Sequence, residues 1–413
     1  MNSSFELPLH AGLRLESAIR LTPLPNNAIK ILAEPQSVKR MALPLLMDDG
    51  TVRVFIGWRV IYSNCLGPTK GGVRFHPATN EAELTQLAFR ILLKCAVNDL
   101  PHGGAGGGIA VDPRLLSKNE KEKLARAYVN ALGDEIGPDV DILSPDLGTN
   151  AEVMSWMMDQ YNKSHRAYIP AAINGKPIAA GGILGRSEAT SLGAWTVLNK
   201  VLADREIQAH GLTFSIQGYG SAGGNFARLL QQNGLRMIAV SDSSGGLFAP
   251  GGLDTEAIWR CKQQGQSISE IKIADASAIT SQEVLTVKAD IIIPAATANQ
   301  ITKEISPRLN CRMIVEIANS PIEFEAEAEI LEKGIEIIPD IVVNAGGITV
   351  SHFEWSQNRS GLLWTIEETY SRLCTKISGT TERMLQVAVE QDVSLPIAAQ
   401  LLALKRLAPA LSI

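Results

Sequence analysis

The pattern of apolar and polar positions changes several times along the chain. Residues 51–63, TVRVFIGWRVIYS, are rich in β-branched and aromatic side chains with partial alternation, which predicts a strand. Residues 80–99 read as a helix, with Asn80 placed as its N-cap and Glu81 and Glu83 suited to its positive end. Lys94 then falls near the end of that helix. Residues 118–132 predict another amphipathic helix, and GPDVDILSPDLGTN (137–150) a turn-rich loop around a short apolar strand. Near residue 180 the pattern shifts. AAGGILGRSEATSLGAWTVLNKVL begins as a loop and becomes a helix. Strand LTFSIQ (212–217), helix 222–232, strand RMIAVSD (236–242), a helix, and strands ADIIIPA (289–295), RMIVEIA (312–318) and IEIIPD (335–340) follow. Short apolar strands alternating with helices predict a parallel, doubly wound sheet. From about 352 onward the chain reads as helical. The expectation is an α/β protein of two domains with a cleft between them: a first domain over 1–180 and a Rossmann dinucleotide-binding domain over 181–384. The last helix, about 385–413, returns to the first.

Composition narrows the classes of function. A chain of 413 residues is long for one core. A net charge of −5 argues against a general nucleic-acid binder. No apolar run approaches the about 18 residues of a membrane span, and MNSSFELPLHAGLRLES has no basic segment followed by an apolar core. Cys65, Cys95, Cys261, Cys311 and Cys374 are scattered without a CxxC pair, which predicts reduced thiols in a cytoplasmic protein and no metal site.

Two stretches carry the chemistry. KCAVNDLPHGGAGGGIAVDP (94–113) contains a glycine run, 103–108, broken only by Ala105. Glycine weakens helix and strand interiors, so the run is expected outside regular structure, as backbone that approaches a small ligand closely. With GPTKGGVRFHP (67–77) it predicts a tight pocket holding two ammonium groups, Lys70 and Lys94, for a carboxylate or phosphate. Further on, TFSIQGYGSAGGNFARLLQQNG sets Gly218, Gly220 and Gly223 in GxGxxG spacing between a strand and a helix. The first glycine makes the turn, the second admits the pyrophosphate and the third lets helix pack on strand. The next strand ends at Asp242, placed to accept hydrogen bonds from an adenosine ribose. The cofactor is NAD or NADP. Ser243 and Ser244 suit a 2′-phosphate, but no Arg or Lys directly follows Asp242, so NAD is favoured.

Across almost its whole length the sequence resembles the glutamate/leucine/phenylalanine/valine dehydrogenase family, and most closely its glutamate dehydrogenases. The matching segments are GPTKGGVRFHP, LKCAVNDLPHGGA, SPDLGTN, GGILGRSEAT, GYGSAG with VSDSSGG, ADIIIPAATANQIT, EIANSP and IPDIVVNAGGITVSHFEW. The resemblance implies oxidative deamination of L-glutamate to 2-oxoglutarate and ammonium. In it, Lys94 holds the α-carboxylate, Lys70 and Ser351 the side-chain carboxylate, and Asp146 moves protons. Thr190, Asn319 and Asn344 lie near the nicotinamide, Ala296 and Thr297 line the cofactor cleft, and Ser221 stands in the dinucleotide turn. It further implies that the first domain binds substrate and makes a homo-oligomer, a hexamer.

One departure matters. Relatives carry a lysine inside the glycine run, as GGAKGG, and here that position is Gly106. That lysine polarises the keto oxygen and helps activate water. Losing one such group costs on the order of a hundred- to a thousand-fold in rate. Three readings follow: a slow dehydrogenase relying on Asp146, a catalytically impaired homologue that binds glutamate or 2-oxoglutarate as a sensor or regulatory subunit, or a neutral His102 imidazole acting in the lysine's place. Ser191 and Leu192, in place of a Gly-Arg, are smaller departures, and His352 is given no role.

Overall fold

The computed structural model describes residues 12–22 and 25–411. Residues 1–11 of the amino-terminal stretch read for a secretion signal therefore lie outside the described residues. The first half runs α1 (Gly12–Leu21), α2 (Asn26–Leu32), β1 (Ser37–Leu46), β2 (Val52–Ser63), β3 (Thr69–Phe75), α3 (Glu81–Val97), β4 (Gly103–Ile109), α4 (Lys118–Leu132), β5 (Asp141–Pro145) and α5 (Ala151–His165). Its five strands pair in the order β1-β2-β4-β3-β5. The β1–β2 and β2–β4 pairs are antiparallel, and β4–β3 and β3–β5 are parallel. Asn80 caps α3 as expected, its Oδ1 accepting from the Glu83 N–H at 3.0 Å. Ser117 and Glu120 cap α4 reciprocally.

The glycine run is not a loop, which corrects the sequence expectation. It is β4, paired on both sides and fully buried. The reason is how closely its neighbours approach. On one face the backbone of α3 lies directly on the strand. A Cβ at Gly104 would stand 2.2 Å from the Ala88 carbonyl oxygen, and one at Gly106 2.8 Å from that of Leu84. On the other face a Cβ at Gly107 would meet the Tyr128 hydroxyl at 2.3 Å and Arg59 at 3.0 Å. Arg59 is buried beneath the strand in a bidentate pair with Asp141, both bonds at 2.7 Å. Glycine costs about 0.5–1 kcal/mol per strand position relative to Ala. Here the two ladders and the close packing offset that cost.

The second half runs α6 (Ala189–Asp204), β6 (Thr213–Gln217), α7 (Ser221–Gln232), β7 (Arg236–Asp242), β8 (Gly245–Phe248), α8 (Thr255–Gln263), β9 (Ser277–Ile279), β10 (Ile291–Pro294), β11 (Met313–Val315), α9 (Phe324–Glu332), β12 (Glu336–Ile338), α10 (Asp340–Val343), α11 (Gly346–Ser360), α12 (Ile366–Gln391) and α13 (Leu395–Ala410). Seven strands pair in the order β12-β11-β10-β6-β7-β8-β9. The five from β12 to β7 are parallel, as the alternation predicts. The last two run antiparallel, which the sequence reading missed. Ser243 and Ser244 make a tight turn after Asp242, and Gly245 has φ +147°, so the chain folds straight back as a hairpin.

The chain crosses between the halves more than once. α13 packs on α1 and α3, and the Arg406 guanidinium donates to the Cys95 carbonyl at 3.2 Å, at the negative end of α3. Glu354 on α11 accepts from the Gly175 N–H at 2.9 Å and pairs with the Lys176 ammonium at 2.7 Å, with both side chains buried. No single helix among the described residues is long and apolar enough to cross a membrane.

Candidate active site

A cavity of about 320 Å³ opens where the amino half of β3, the middle of β4 and the carboxyl end of β5 face α6 and α11. Lys70, Lys94, Asp146, Thr190 and Ser351 all line it, as do Asn319 and Asn344. β3 supplies Lys70, the last turn of α3 supplies Lys94, and the loop after β5 supplies Asp146. The two Asn residues come from the loops after β11 and α10, across the cleft.

Both lysines are almost wholly buried. The Lys70 ammonium donates to the Ser351 carbonyl at 2.9 Å, and Lys94 to Asn319 Oδ1 at 2.6 Å. Burial pushes Lys70 down to about 7, with Glu354 opposing and the Arg186 and Lys176 charges adding to the fall. Burial likewise lowers Lys94 to about 8, against the field of Asp340. Each ammonium bonds a neutral oxygen, so each retains an unmet demand for an anion. The Asn344 amide also donates to Asn319 Oδ1, at 3.1 Å, and fixes which of its faces meets Lys94.

Three residues that the sequence reading passed over bear on the site, Arg186 in its wall and Arg74 and Asn174 holding residues that line it. The Arg186 guanidinium lines the cavity, and its Nε is buried without a hydrogen-bond partner. Arg74 Nε holds Asp146 Oδ2 at 3.0 Å. Asn174 donates to the Ser351 carbonyl at 2.6 Å and to its Oγ at 3.3 Å, which sets the hydroxyl's position. Arg186 and Arg74 stand inside the motifs GGILGRSEAT and GPTKGGVRFHP, so their signal was present. Asn174 has no such signal.

Gly106 borders the cavity on the face of β4 that meets α3, the side that also carries Lys94. His102 is not among the residues lining it. Its Nε2 lies 3.0 Å from His352 Nδ1, and its ring stands edge-on to Trp355 at 5.2 Å. Burial, with Lys70 and His352 close by, drives its imidazole down to about 2. The ring is neutral, but it is committed to an aromatic cluster behind the site. That overturns the expectation that His102 acts in the missing lysine's place, and it gives His352 a packing partner.

The dinucleotide turn has the geometry its spacing predicts. Gly218 has φ +98°, and a Cβ there would stand 2.7 Å from the Ala295 carbonyl carbon. A Cβ at Gly223 would stand 2.0 Å from the Gly218 oxygen, so close helix–strand packing requires glycine. Gly220 has open space where a Cβ would point, and no side chain caps α7, which leaves the N–H groups after Ser221 free for a phosphate. Ala296 and Thr297 follow β10 beside this turn and are exposed. Asp242 lies at the end of β7, but its carboxylate is already engaged. Oδ1 accepts from the Ser244 N–H and hydroxyl, and Oδ2 from the Lys262 ammonium and the Ile268 N–H. These residues fit a dinucleotide at the switch point of the sheet.

A Rossmann sheet whose rim meets a cleft with two buried ammonium groups and a partly exposed carboxylate defines an NAD(P)-dependent amino-acid dehydrogenase. Comparison with known proteins makes the class specific. Residues 181–412 match the Glutamate/Leucine/Phenylalanine/Valine dehydrogenase model, and residues 35–163 match the dimerisation domain of the same family. The chain belongs to that family. It is 40% identical to the NADP-specific glutamate dehydrogenase of Synechocystis over 97% of this chain and 95% of the relative. It is 37% identical to the catabolic NAD-specific glutamate dehydrogenase of Bacillus subtilis over 96% and 93%. Among solved structures, a hetero-hexameric glutamate dehydrogenase from Thermus thermophilus, in a leucine-bound form, superposes with TM-score 0.91 at 36% identity, covering 96% of this chain and 94% of that one.

Proposed function

We propose that this chain catalyses the reversible oxidative deamination of L-glutamate to 2-oxoglutarate and ammonium with NAD(P). The observation that carries the reading is the pair of buried ammonium groups facing one cavity. Lys94 takes the α-carboxylate. Lys70, with the Ser351 hydroxyl, takes the side-chain carboxylate, and the two grips orient the α-carbon. When bound, the nicotinamide supplies the hydride acceptor. Thr190, Asn319 and Asn344 stand where its carboxamide end would lie. Asp146 remains partly open to solvent, held by Arg74, and carries protons between the substrate amine and bulk water. Gly106 contributes no cation, so the nearby charge on a developing keto oxygen comes from Lys94 and Arg186. Full-length relatives that are dehydrogenases favour the enzyme over the sensor or regulatory-subunit reading.

The test is oxidation of NADH or NADPH in the presence of 2-oxoglutarate and ammonium. The expected result is turnover that needs both. Binding of 2-oxoglutarate with no oxidation of either cofactor would overturn the reading. The assembly is a homohexamer on this account. Support comes from the match to the dimerisation domain and from the exposed apolar side chains of Val38, Leu46, Val52 and Val54 along β1 and β2. Light scattering at six times the chain mass is the expected outcome, and a monomer would refute it.

A further inference from the structure

The relatives divide between NAD and NADP, and the choice turns on the adenosine ribose. In the ordinary arrangement the acid ending the second strand accepts from the ribose hydroxyls and repels a 2′-phosphate. Asp242 stands at that place. The turn abuts it, because the Gly218 N–H donates to the Ser241 carbonyl at 2.9 Å. Its carboxylate, however, accepts four bonds from the protein itself. Ser244 gives two, at 2.9 Å and 2.5 Å, the Ile268 N–H one at 3.0 Å, and the Lys262 ammonium one at 2.5 Å. Burial alone would raise its pKa, but these bonds outweigh it and hold it down to about 2. A carboxylate with its lone pairs filled is a poor receiver for a ribose hydroxyl. Its charge is also balanced by a cation at contact distance.

Lys262 comes from the last turn of α8, about a quarter exposed, and Ser243 and Ser244 are exposed beside it. The other acid near this ammonium is Glu270, which is fully exposed and bound to the Ser267 N–H and hydroxyl. We infer that Asp242 serves here as the anchor of Lys262, and that Lys262, with the Ser243 hydroxyl, receives the 2′-phosphate of NADP. This rests on the dinucleotide reading of the site. It revises the preference for NAD drawn from the residues that directly follow Asp242. The cation is present, but it arrives from a helix twenty residues on, where no local motif shows it.

The test reads binding and not turnover, so it stands apart from the catalytic reading. Titration calorimetry on the full chain measures NADPH and NADH against Lys262→Met, Lys262→Arg and Asp242→Asn. Lys262→Met is expected to weaken NADPH by about tenfold or more, the loss of one charge-assisted contact, and to change NADH by less than about threefold. Lys262→Arg should keep NADPH within about threefold. Asp242→Asn should leave NADH nearly unchanged and NADPH as tight or tighter. Equal effects of Lys262→Met on both cofactors, or a selective loss of NADH in Asp242→Asn, would overturn the assignment and restore Asp242 as the ribose receiver. Binding of neither cofactor to the unaltered chain would overturn the dinucleotide reading along with it.

Discussion

Burying an ammonium without a carboxylate partner is costly, and Lys70 and Lys94 both do it. The consequence for pH follows from their lowered values, about 7 and about 8. A free lysine titrates near 10.4, so across this window the unfolded chain holds more protons than the folded one. Stability therefore rises with pH from about 7 toward 10, the opposite of what a paired lysine gives. On the proposed reading, diacid binding runs the other way, since it needs both ammonium groups charged. Calorimetric affinity for 2-oxoglutarate is expected to fall as pH climbs from about 7 to 9. A flat profile there would show that the lysines do not meet the ligand. Both lysines were legible in sequence, because KGG and the helix spacing placed them. The partners of Asp242 were not, because Lys262 and Ile268 reach it only through the fold.

β4 shows where reading by element runs out. Propensity placed 103–108 outside regular structure, yet the run is a central strand. What decides it is the backbone of α3 on one face and Arg59 with Tyr128 on the other, both distant in sequence. The same packing bears on the missing lysine. Because a Cβ at 106 would crowd the Leu84 carbonyl, Gly106→Ala is expected to cost about 1–3 kcal/mol by overpacking, read as a lower unfolding midpoint. Gly106→Lys must displace α3, and Lys94 with it, so it should lose both stability and 2-oxoglutarate affinity. A stable Gly106→Lys chain with unchanged affinity would mean that α3 has room to move. By contrast, the helices capped by Asn80 and Ser117 and the alternating Rossmann elements were legible, because their signals are local. The antiparallel β8 and β9 were missed because they have only four and three residues, β8 folding back after a turn of two serines.

At the scale of the molecule, α11 ties the halves together. Lys70 and Asn174 meet the backbone of Ser351, and one turn on Glu354 grips Gly175 and Lys176. Substrate pocket and interdomain joint are thus built on one helix, so a change in joint angle moves Ser351 relative to Lys70. Glu354→Gln leaves the buried Lys176 ammonium without its charge partner and is expected to destabilise the chain by about 3–5 kcal/mol in denaturant unfolding. A loss under about 1 kcal/mol would show that water reaches the joint.

The account depends most on a diacid held at both ends, and the distal grip is its most exposed part. The direct measurement is kcat/KM for glutamate and for norvaline, which keeps the three-carbon side chain but lacks the carboxylate oxygens, in the unaltered chain and in Lys70→Leu. Removing one buried charged partner is worth about 3–5 kcal/mol, so glutamate should fall by more than about a hundredfold while norvaline holds or improves. Equal losses for the two amino acids would contradict the assignment and place Lys70 outside substrate recognition.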